Sequence, residues 1–193
     1  KNIKSFAILA PISSNGKYPN YTIDKESQNN TNFDLPFNVK SVDGYAMVLD
    51  LKKINQIETF KHNNYFDENF FMYLENDDLC KRLIVNDQNI FIIPKSKITH
   101  VGAKAVDPEY SHAVELSRNW HWIWSKFYYN KKHYGFLFSL VSGLPSFLSA
   151  NLKFLLYSFL NKNKKKQIYL QRILGFTNAV LGKSSSYRPK INS

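Results

Sequence analysis

The sequence predicts an α/β domain followed by a helical region that is both basic and apolar, on three observations. Short apolar runs alternate with amphipathic segments up to about residue 105, which is typical of layered strands and helices. Beyond that point the periodicity is helical, and residues 134–160 carry a single charge, Lys153. All 15 Asp and Glu residues precede residue 116, whereas 13 of the 26 Lys and Arg residues follow it. We therefore expect two domains, residues 1–105 and 106–193.

Composition excludes several classes of protein. A chain of 193 residues that is 44% hydrophobic and 16% aromatic can bury a core and is not a disordered tail. A single cysteine, Cys80, excludes an internal disulfide framework and a cysteine-based zinc site. The N-terminal apolar run is too short for a signal peptide. These features favour a reducing compartment.

In the first domain, apolar runs separated by turn residues predict the elements. FAILAPI (residues 6–12) predicts a buried strand that ends at Pro11, and residues 13–38 predict a long irregular loop. VKSVDGYAMVLDL is strand-like with an interruption at Asp43 and Gly44, and residues 51–60 predict a short amphipathic helix.

The segment FDENFFMYLENDDLCKRL (residues 66–83) is predicted to begin as a loop and then become helical. Leu74, Leu79 and Leu83 recur at helical spacing, and the acids of ENDD suit a first helical turn. NIFIIP (residues 89–94) and KITHVG (residues 97–102) predict two further short strands, the first ended by its proline.

In the second domain a helix is predicted from Pro108 to a stop at Gly135, and a last amphipathic helix at residues 168–181. The apolar segment between them is long enough to span a bilayer. Gly143 and Pro145 are expected to break it, Lys153 would lie inside it, and basic clusters flank both ends. Two interfacial or re-entrant helices satisfy all three features. A spanning helix and a buried helical hairpin are the alternatives.

Four motifs follow one another between Val42 and Gly102. They read VDGYAMVLDLKKI, YFDENFFMYLENDDLCKRL, NIFIIP and THVG. Their order and spacing resemble the C-terminal half of the catalytic domain of the family 2 glycosyltransferases. RNWHWIWSKFYYNKKHYG also resembles a helix that often follows that domain in bacterial members. The resemblance implies that residues 1–105 are a partial GT-A (Rossmann-like) domain, on the side that holds the acceptor and the catalytic base.

The acids of the second motif are the candidate catalytic residues. Inverting sugar transfer needs a carboxylate that takes the proton from the acceptor hydroxyl as it attacks the anomeric carbon. The family pattern places this base in an acidic pair; Glu75 matches its first member, and the second is Asn76. The resemblance therefore assigns the base to Glu75, with Asp77 and Asp78 as substitutes. Without the resemblance, the same acids would be read as first-turn helix acids on a solvated face.

The resemblance also implies residues that bind substrate or metal. The expected substrate-binding residues are Asp43, Gly44, Phe71, Tyr73 and Arg118. His100 of THVG is expected to reach a metal or the leaving diphosphate, although a histidine on a strand often has only a structural role. Arg118 could steer a phosphate-bearing substrate, and a plain basic helix face explains it as well.

The resemblance also implies a donor site, and we expect most of that site to lie outside this chain. In the family, an N-terminal half with an Asp-x-Asp motif binds the nucleotide-sugar, and a divalent metal, Mg²⁺ or Mn²⁺, assists departure of the diphosphate. The sequence contains no Asp-x-Asp, and FAILAPISSNGKYPN resembles the segment just downstream of that motif. We therefore expect a fragment or a half-protein that does not fully bind the metal. The isolated chain is expected to be inactive.

The expected function is sugar transfer in surface polysaccharide synthesis, from a nucleotide-sugar to a saccharide or lipid-linked acceptor. The acid-free C-terminal region indicates an anionic membrane surface as partner, at the cytoplasmic, inner face of the cell membrane. The alternative is a non-catalytic half-domain that docks on a membrane or on a partner transferase. A nucleic-acid partner is disfavoured because a nucleic-acid groove does not need a long apolar run.

Overall fold

The computed structural model describes residues 3, 5–16, 18–101 and 106–189. It is mixed α/β, 53% helical and 13% strand. The chain divides into two compact units: Lys1–Asp67 with Glu75–Gly102, and Glu68–Leu74 with Ala103–Ser193. The short segment Glu68–Leu74 thus belongs to the second unit, whereas the sequence analysis included it in the first domain. Assignment of the first unit to the GT-A fold stays a prediction.

The first unit contains a four-stranded sheet and a two-stranded ribbon. The strands are β1 (Ile8–Ser13), β2 (Tyr21–Thr22), β3 (Phe37–Asn38), β4 (Ser41–Val42), β5 (Val48–Leu49) and β6 (Ile90–Ile98). The sheet has the order β3-β6-β1-β5. Strands β1 and β6 are parallel, β3 and β5 are antiparallel to their neighbours, and β2 pairs with β4 antiparallel in the ribbon.

One strand, β6, replaces the two strands predicted for residues 89–102. It continues through Pro94, and its register against β1 shifts there, because Pro11 pairs with Ile93 whereas Ile12 pairs with Lys97. An irregularity of this kind accommodates a residue that has no backbone N–H to donate. Pro11 likewise lies within β1 and does not end it.

The helices of the first unit are α1 (Lys25–Asn30), α2 (Leu51–Ile54) and α3 (Glu75–Val85), with a 3-10 helix at Glu58–Asn63. The predicted loop at residues 13–38 therefore contains β2, α1 and β3. The helix predicted at residues 51–60 is the single turn α2, which the Asp50 side chain caps by accepting from the Lys53 N–H at 3.0 Å, followed by the start of the 3-10 helix.

The core of the first unit fixes where α3 begins. Leu79 and Leu83 are fully buried and belong to the same core as Ile8 of β1 and Ile90 and Ile92 of β6. Burial of one such side chain stabilises a fold by about 1.5–3 kcal/mol. This packing holds the acidic first turn of α3 against the sheet and its loops.

The second unit is built from three long helices. They are α4 (Ser111–Tyr134), α5 (Phe136–Phe159) and α6 (Asn163–Val180), preceded by a 3-10 turn at Pro108–Tyr110. The Asp107 side chain caps that turn by accepting from the Glu109 N–H at 3.0 Å. Gly135 separates α4 from α5 with a φ of 91°, a conformation that glycine adopts without steric cost.

The apolar segment forms one continuous helix, so the predicted break at Gly143 and Pro145 is wrong. Gly143 faces Phe176 of α6 so closely that a Cβ there would lie 2.4 Å from the ring. This contact helps offset the roughly 3 kcal/mol that a proline inside a helix costs. Among the described residues, α5 is the one helix long and apolar enough to cross a membrane. The last helix begins at Asn163, five residues earlier than predicted.

Aromatic residues form the core of the second unit. Trp120, Trp124 and Phe127 of α4 are buried with Phe176 and Ala179 of α6. The backbones of α4 and α6 approach closely at Gly175, where a Cβ would lie 2.5 Å from the Trp120 carbonyl oxygen.

Candidate functional site

The start of α3 and the loop after β4 lie together in the first unit. The Asn76 side chain donates to the Val42 carbonyl at 2.7 Å. Gly44 lies beside the same turn, since a Cβ there would be 3.5 Å from the Asn76 Cβ and 4.0 Å from Glu75 Oε1. Asn76 departs from the acidic pair of the family pattern. An ionised carboxylate could not donate this hydrogen bond, which gives the asparagine a physical reason.

Asn20 fixes the position of Asp43. It is buried, its Nδ2 donates to the Pro11 carbonyl and its Oδ1 accepts from the Ser13 N–H, both at 2.8 Å. The Asn20 carbonyl in turn accepts from the Asp43 N–H at 2.9 Å. One buried side chain therefore ties the end of β1 to the loop that carries Asp43.

Two carboxylates of this loop and helix influence each other. Burial raises the pKa of Asp77, and a hydrogen bond from the Ser41 side chain partly opposes that rise. Burial also raises the pKa of Asp43, as does the negative charge of Asp77, while the positive charge of His100 lowers it. Such raised carboxylate pKa values are typical of acid–base sites. We call Asp43, Glu75 and Asp77 the acidic cluster.

Glu75 has one carboxylate oxygen that makes no hydrogen bond within the described residues. Oε2 is buried and has no hydrogen-bond partner among the described residues. A buried carboxylate oxygen without a partner costs free energy, about 1–3 kcal/mol or more for a charged group. An oxygen of this kind can accept a proton or a hydrogen bond from a bound hydroxyl group.

The backbone just before Glu75 is strained. Tyr73 and Leu74 have φ values of 71° and 68°, and neither is glycine. A residue with a Cβ in this left-handed region is disfavoured by roughly 1–2 kcal/mol. Two in succession at the entrance to α3 mark a geometry that other contacts impose, which often occurs at functional sites.

Two further residues of α3 face the core. Asp78 is fully buried and accepts from Arg82 Nε at 2.8 Å, and Arg82 also donates to the carbonyls of Asn64 and Tyr65. This bonding gives Asp78 a structural role in holding the preceding loop. Burial raises the pKa of the Cys80 thiol to about 12, so that thiol is not a nucleophile near neutral pH.

His100 is stacked on Tyr45. Their ring centroids are 4.3 Å apart and the planes are inclined by 8°. Gly102 of the same motif lies outside the described residues. Within the described residues, no group of three or more His, Cys, Asp and Glu side chains is placed to hold a metal ion. His100 as a metal ligand stays a prediction.

The remaining predicted substrate residues belong to the second unit. Phe71 contacts His121 at 4.8 Å between ring centroids, and the Arg188 guanidinium lies 3.3 Å from the Phe71 ring centroid. Tyr73 packs edge-on against Trp122, and Arg118 is half-buried on α4. The structure thus brings Asp43, Gly44, Glu75, Asp77 and His100 together within one unit, and it assigns Phe71, Tyr73 and Arg118 to the other.

A cavity of about 370 Å³ lies elsewhere in the first unit. Its polar lining includes Asp24, Asn38, Lys40, Gln88 and Asn89. None of the acidic cluster lines it, and no aromatic ring does. We therefore place the candidate site at the acidic cluster.

Sequence reasoning missed three residues that shape the candidate site: Asn20, Ser41 and Tyr45. Ser41 and Tyr45 flank the Asp43-Gly44 turn, so their proximity to that turn was a usable signal. Asn20 lies in a polar segment without periodicity and gave no signal. Comparisons with known proteins add no assignment: no protein-family model, curated protein or solved structure matches this chain.

Proposed function

We propose that this chain carries the acceptor side of a glycosyltransferase, which transfers a sugar from a nucleotide-sugar to a hydroxyl group with inversion. The motif order of residues 42–102 supports this reaction class. The observation that carries the proposal is that Glu75 Oε2, at the start of α3, is buried and has no hydrogen-bond partner among the described residues.

Glu75 acts as the general base in this proposal. An acceptor hydroxyl donates its hydrogen bond to Oε2 and supplies the partner that this oxygen lacks. As the hydroxyl oxygen bonds to the anomeric carbon, its proton passes to Glu75, and the bond to the nucleotide diphosphate breaks with its electron pair on the diphosphate. The geometry favours Glu75 over Asp78, whose carboxylate is bound to Arg82.

The neighbouring carboxylates adjust the site. Asp77 and Asp43 have raised pKa values, and Asp77 is the alternative base. A divalent metal remains an expectation from the resemblance. No step of this proposal passes through it.

The partners in this proposal are a nucleotide-sugar and a saccharide or lipid-linked acceptor of a surface polysaccharide. A location at the inner face of the cell membrane suits the second unit, because residues 116–193 contain 13 Lys and Arg and no acid. Substrate binding by Phe71 and Tyr73 stays a prediction from the sequence.

The test is a transfer assay with the protein as its native cell makes it, purified together with its membrane fraction. Radiolabelled UDP-, GDP- and dTDP-sugars are supplied with native lipid extract. We expect label in one lipid or saccharide fraction, with the anomeric configuration inverted. Absence of transfer from every donor, at the level of heat-inactivated protein, would leave the non-catalytic docking module as the better account.

A further inference from the structure

One face of α5 packs within the second unit. Its small residues lie on this side: Ser139 and Ala150 are buried, and Gly143 contacts Phe176. The Asn130 side chain of α4 donates to Ser142 Oγ at 3.2 Å, and Phe147 lies 4.9 Å from Phe176 between ring centroids. Helices α4 and α6 therefore cover this face of α5.

The opposite face of α5 is an uninterrupted row of exposed apolar side chains, which we call the apolar stripe. It consists of Leu137, Val141, Leu144, Leu148, Leu152, Leu155 and Phe159. Successive members are three or four residues apart, so they form one row along the helix. The row is about 33 Å long at 1.5 Å per residue. No charged residue interrupts it.

The one charge on α5, Lys153, lies on the side of the helix that contacts α6, away from the apolar stripe. Lys153 Nζ is 5.4 Å from the centroid of the Tyr169 ring of α6, and Tyr169 stacks on Tyr157. Lys165 Nζ lies over the Tyr157 ring. These tyrosines and lysines therefore lie between α5 and α6, and the apolar stripe has no charge along its length.

The charges around the apolar stripe have a single sign. The sequence has no acid after Glu115. The exposed lysines near the two ends of α5 are Lys131, Lys132, Lys162, Lys164 and Lys165. A second copy of this chain stacked on the apolar stripe would bring like charges together. An anionic lipid surface would neutralise them.

We propose that the apolar stripe docks the second unit on an anionic lipid bilayer, with α5 lying in the plane of the interface. The unbroken apolar row and the exposed lysines near both of its ends carry the inference, which does not depend on the proposed sugar transfer. A spanning α5 would take α6 into the hydrocarbon with it, because α6 packs along α5 from Phe176 to Lys165. Helix α6 carries Lys164, Lys165, Lys166 and Arg172.

The first test is flotation of the full chain with vesicles of phosphatidylcholine and phosphatidylglycerol. Val141→Glu is compared with Val85→Glu, because the two valines are equally exposed, 71% and 72%, and Val85 lies at the end of α3. We expect Val141→Glu to lower the partition coefficient by about tenfold or more, since it places a charge in the acyl boundary. Val85→Glu should leave it within about twofold. Equal binding by both variants would overturn the proposal.

Varying the lipid charge and the salt concentration isolates the electrostatic contribution to vesicle binding. Binding should be much weaker to pure phosphatidylcholine vesicles and should fall as salt is raised from 0.05 to 0.5 M, an interval over which the screening length drops by about threefold. A chain that does not bind anionic vesicles, or that binds them independently of residue 141, is contrary to the proposal. The stripe would then be a surface for a partner protein.

The depth of α5 in the bilayer can be measured without placing a charge on the apolar stripe. Single cysteines at Val141, Leu148 and Leu155 carry a fluorophore, since native Cys80 is buried. Quenching by lipids brominated at successive acyl positions should place all three probes at one shallow depth, about 5–10 Å below the headgroups. A probe at Leu148 much deeper than the other two would show a spanning helix and refute the in-plane arrangement.

Discussion

Two neighbouring residues of α3, Glu75 and Asn76, differ in the hydrogen bonds of their side chains. Asn76 donates its side-chain hydrogen bond to the Val42 carbonyl, which fixes the turn of α3 beside Gly44. Glu75 has one buried oxygen with no hydrogen-bond partner in the part of the chain that the structure describes. The family pattern has an acid at both positions. In this chain the second position contributes to the fold of the site rather than to its charge.

Asn76→Asp should destabilise the first unit by about 2 kcal/mol at neutral pH. It removes a partly buried donor and adds a carboxylate beside Asp43 and Asp77. The loss should shrink at acid pH as the new carboxylate is protonated. Hydrogen exchange of the α3 amides, followed by mass spectrometry, measures this loss of stability.

Asn29→Asp on the exposed helix α1 is the control for that change and should be nearly neutral. If Asn76→Asp protects α3 as well as the wild type at pH 7, the hydrogen bond to Val42 does not hold the site.

At the scale of elements, the C-terminal segment of the second unit is tied to α4. Trp124 Nε1 donates to the Lys183 carbonyl at 2.9 Å. His121 is fully buried, with Nε2 3.0 Å from the Tyr187 carbonyl and Nδ1 2.8 Å from Ser185 Oγ. Because a carbonyl can only accept, Nε2 carries the proton, and Nδ1 of neutral His121 accepts from the serine hydroxyl.

This segment should be less stable at acid pH. Burial lowers the pKa of His121, and the charge of Arg188 lowers it further, although the Tyr187 carbonyl opposes the shift. The unfolded chain therefore takes up a proton near the ordinary histidine pKa of 6.5, while the folded chain resists until a lower pH. Stability is complete above 6.5 and falls as the pH drops from there towards the folded pKa.

All three tryptophans lie on α4, so tryptophan fluorescence during urea unfolding reports the second unit. The wild type should lose more unfolding free energy between pH 7.5 and 5.5 than His121→Gln does, and His112→Gln on the same helix should follow the wild type. If the wild type and His121→Gln lose the same unfolding free energy between pH 7.5 and 5.5, His121 is not the cause of the acid sensitivity.

The elements that sequence reasoning predicted well are those with strong local signals. The first acidic turn of α3 and the stop at Gly135 are examples, because first-turn acids and a glycine with positive φ act locally. Strand β6 and helix α5 were divided wrongly. Pro94 and Pro145 are breakers in isolation, and only pairing with β1 and packing on α6 reveal that the elements continue through them.

The same limit applies to the candidate site. The sequence predicts Glu75, Asp77 and Asp78 as one acidic group. What distinguishes their surroundings is contacts with distant residues, such as those of Arg82 with Asn64 and Tyr65.

At the scale of the whole molecule, the sequence predicted Phe71 and Tyr73 to lie in the first domain, whereas they belong to the second unit. Their aromatic partners, His121 and Trp122, lie about 50 residues further along the chain, and no local pattern announces such a pairing.

The most direct measurement is the turnover of Glu75→Gln in the sugar-transfer reaction of the protein as the native cell makes it. With Glu75 as general base, kcat should fall by about 10²-fold or more, while KM for the nucleotide-sugar changes little. Glu58→Gln serves as the control, because Glu58 is an exposed acid of the same unit, and it should keep full turnover. A Glu75→Gln variant that retains kcat within about twofold would contradict the account.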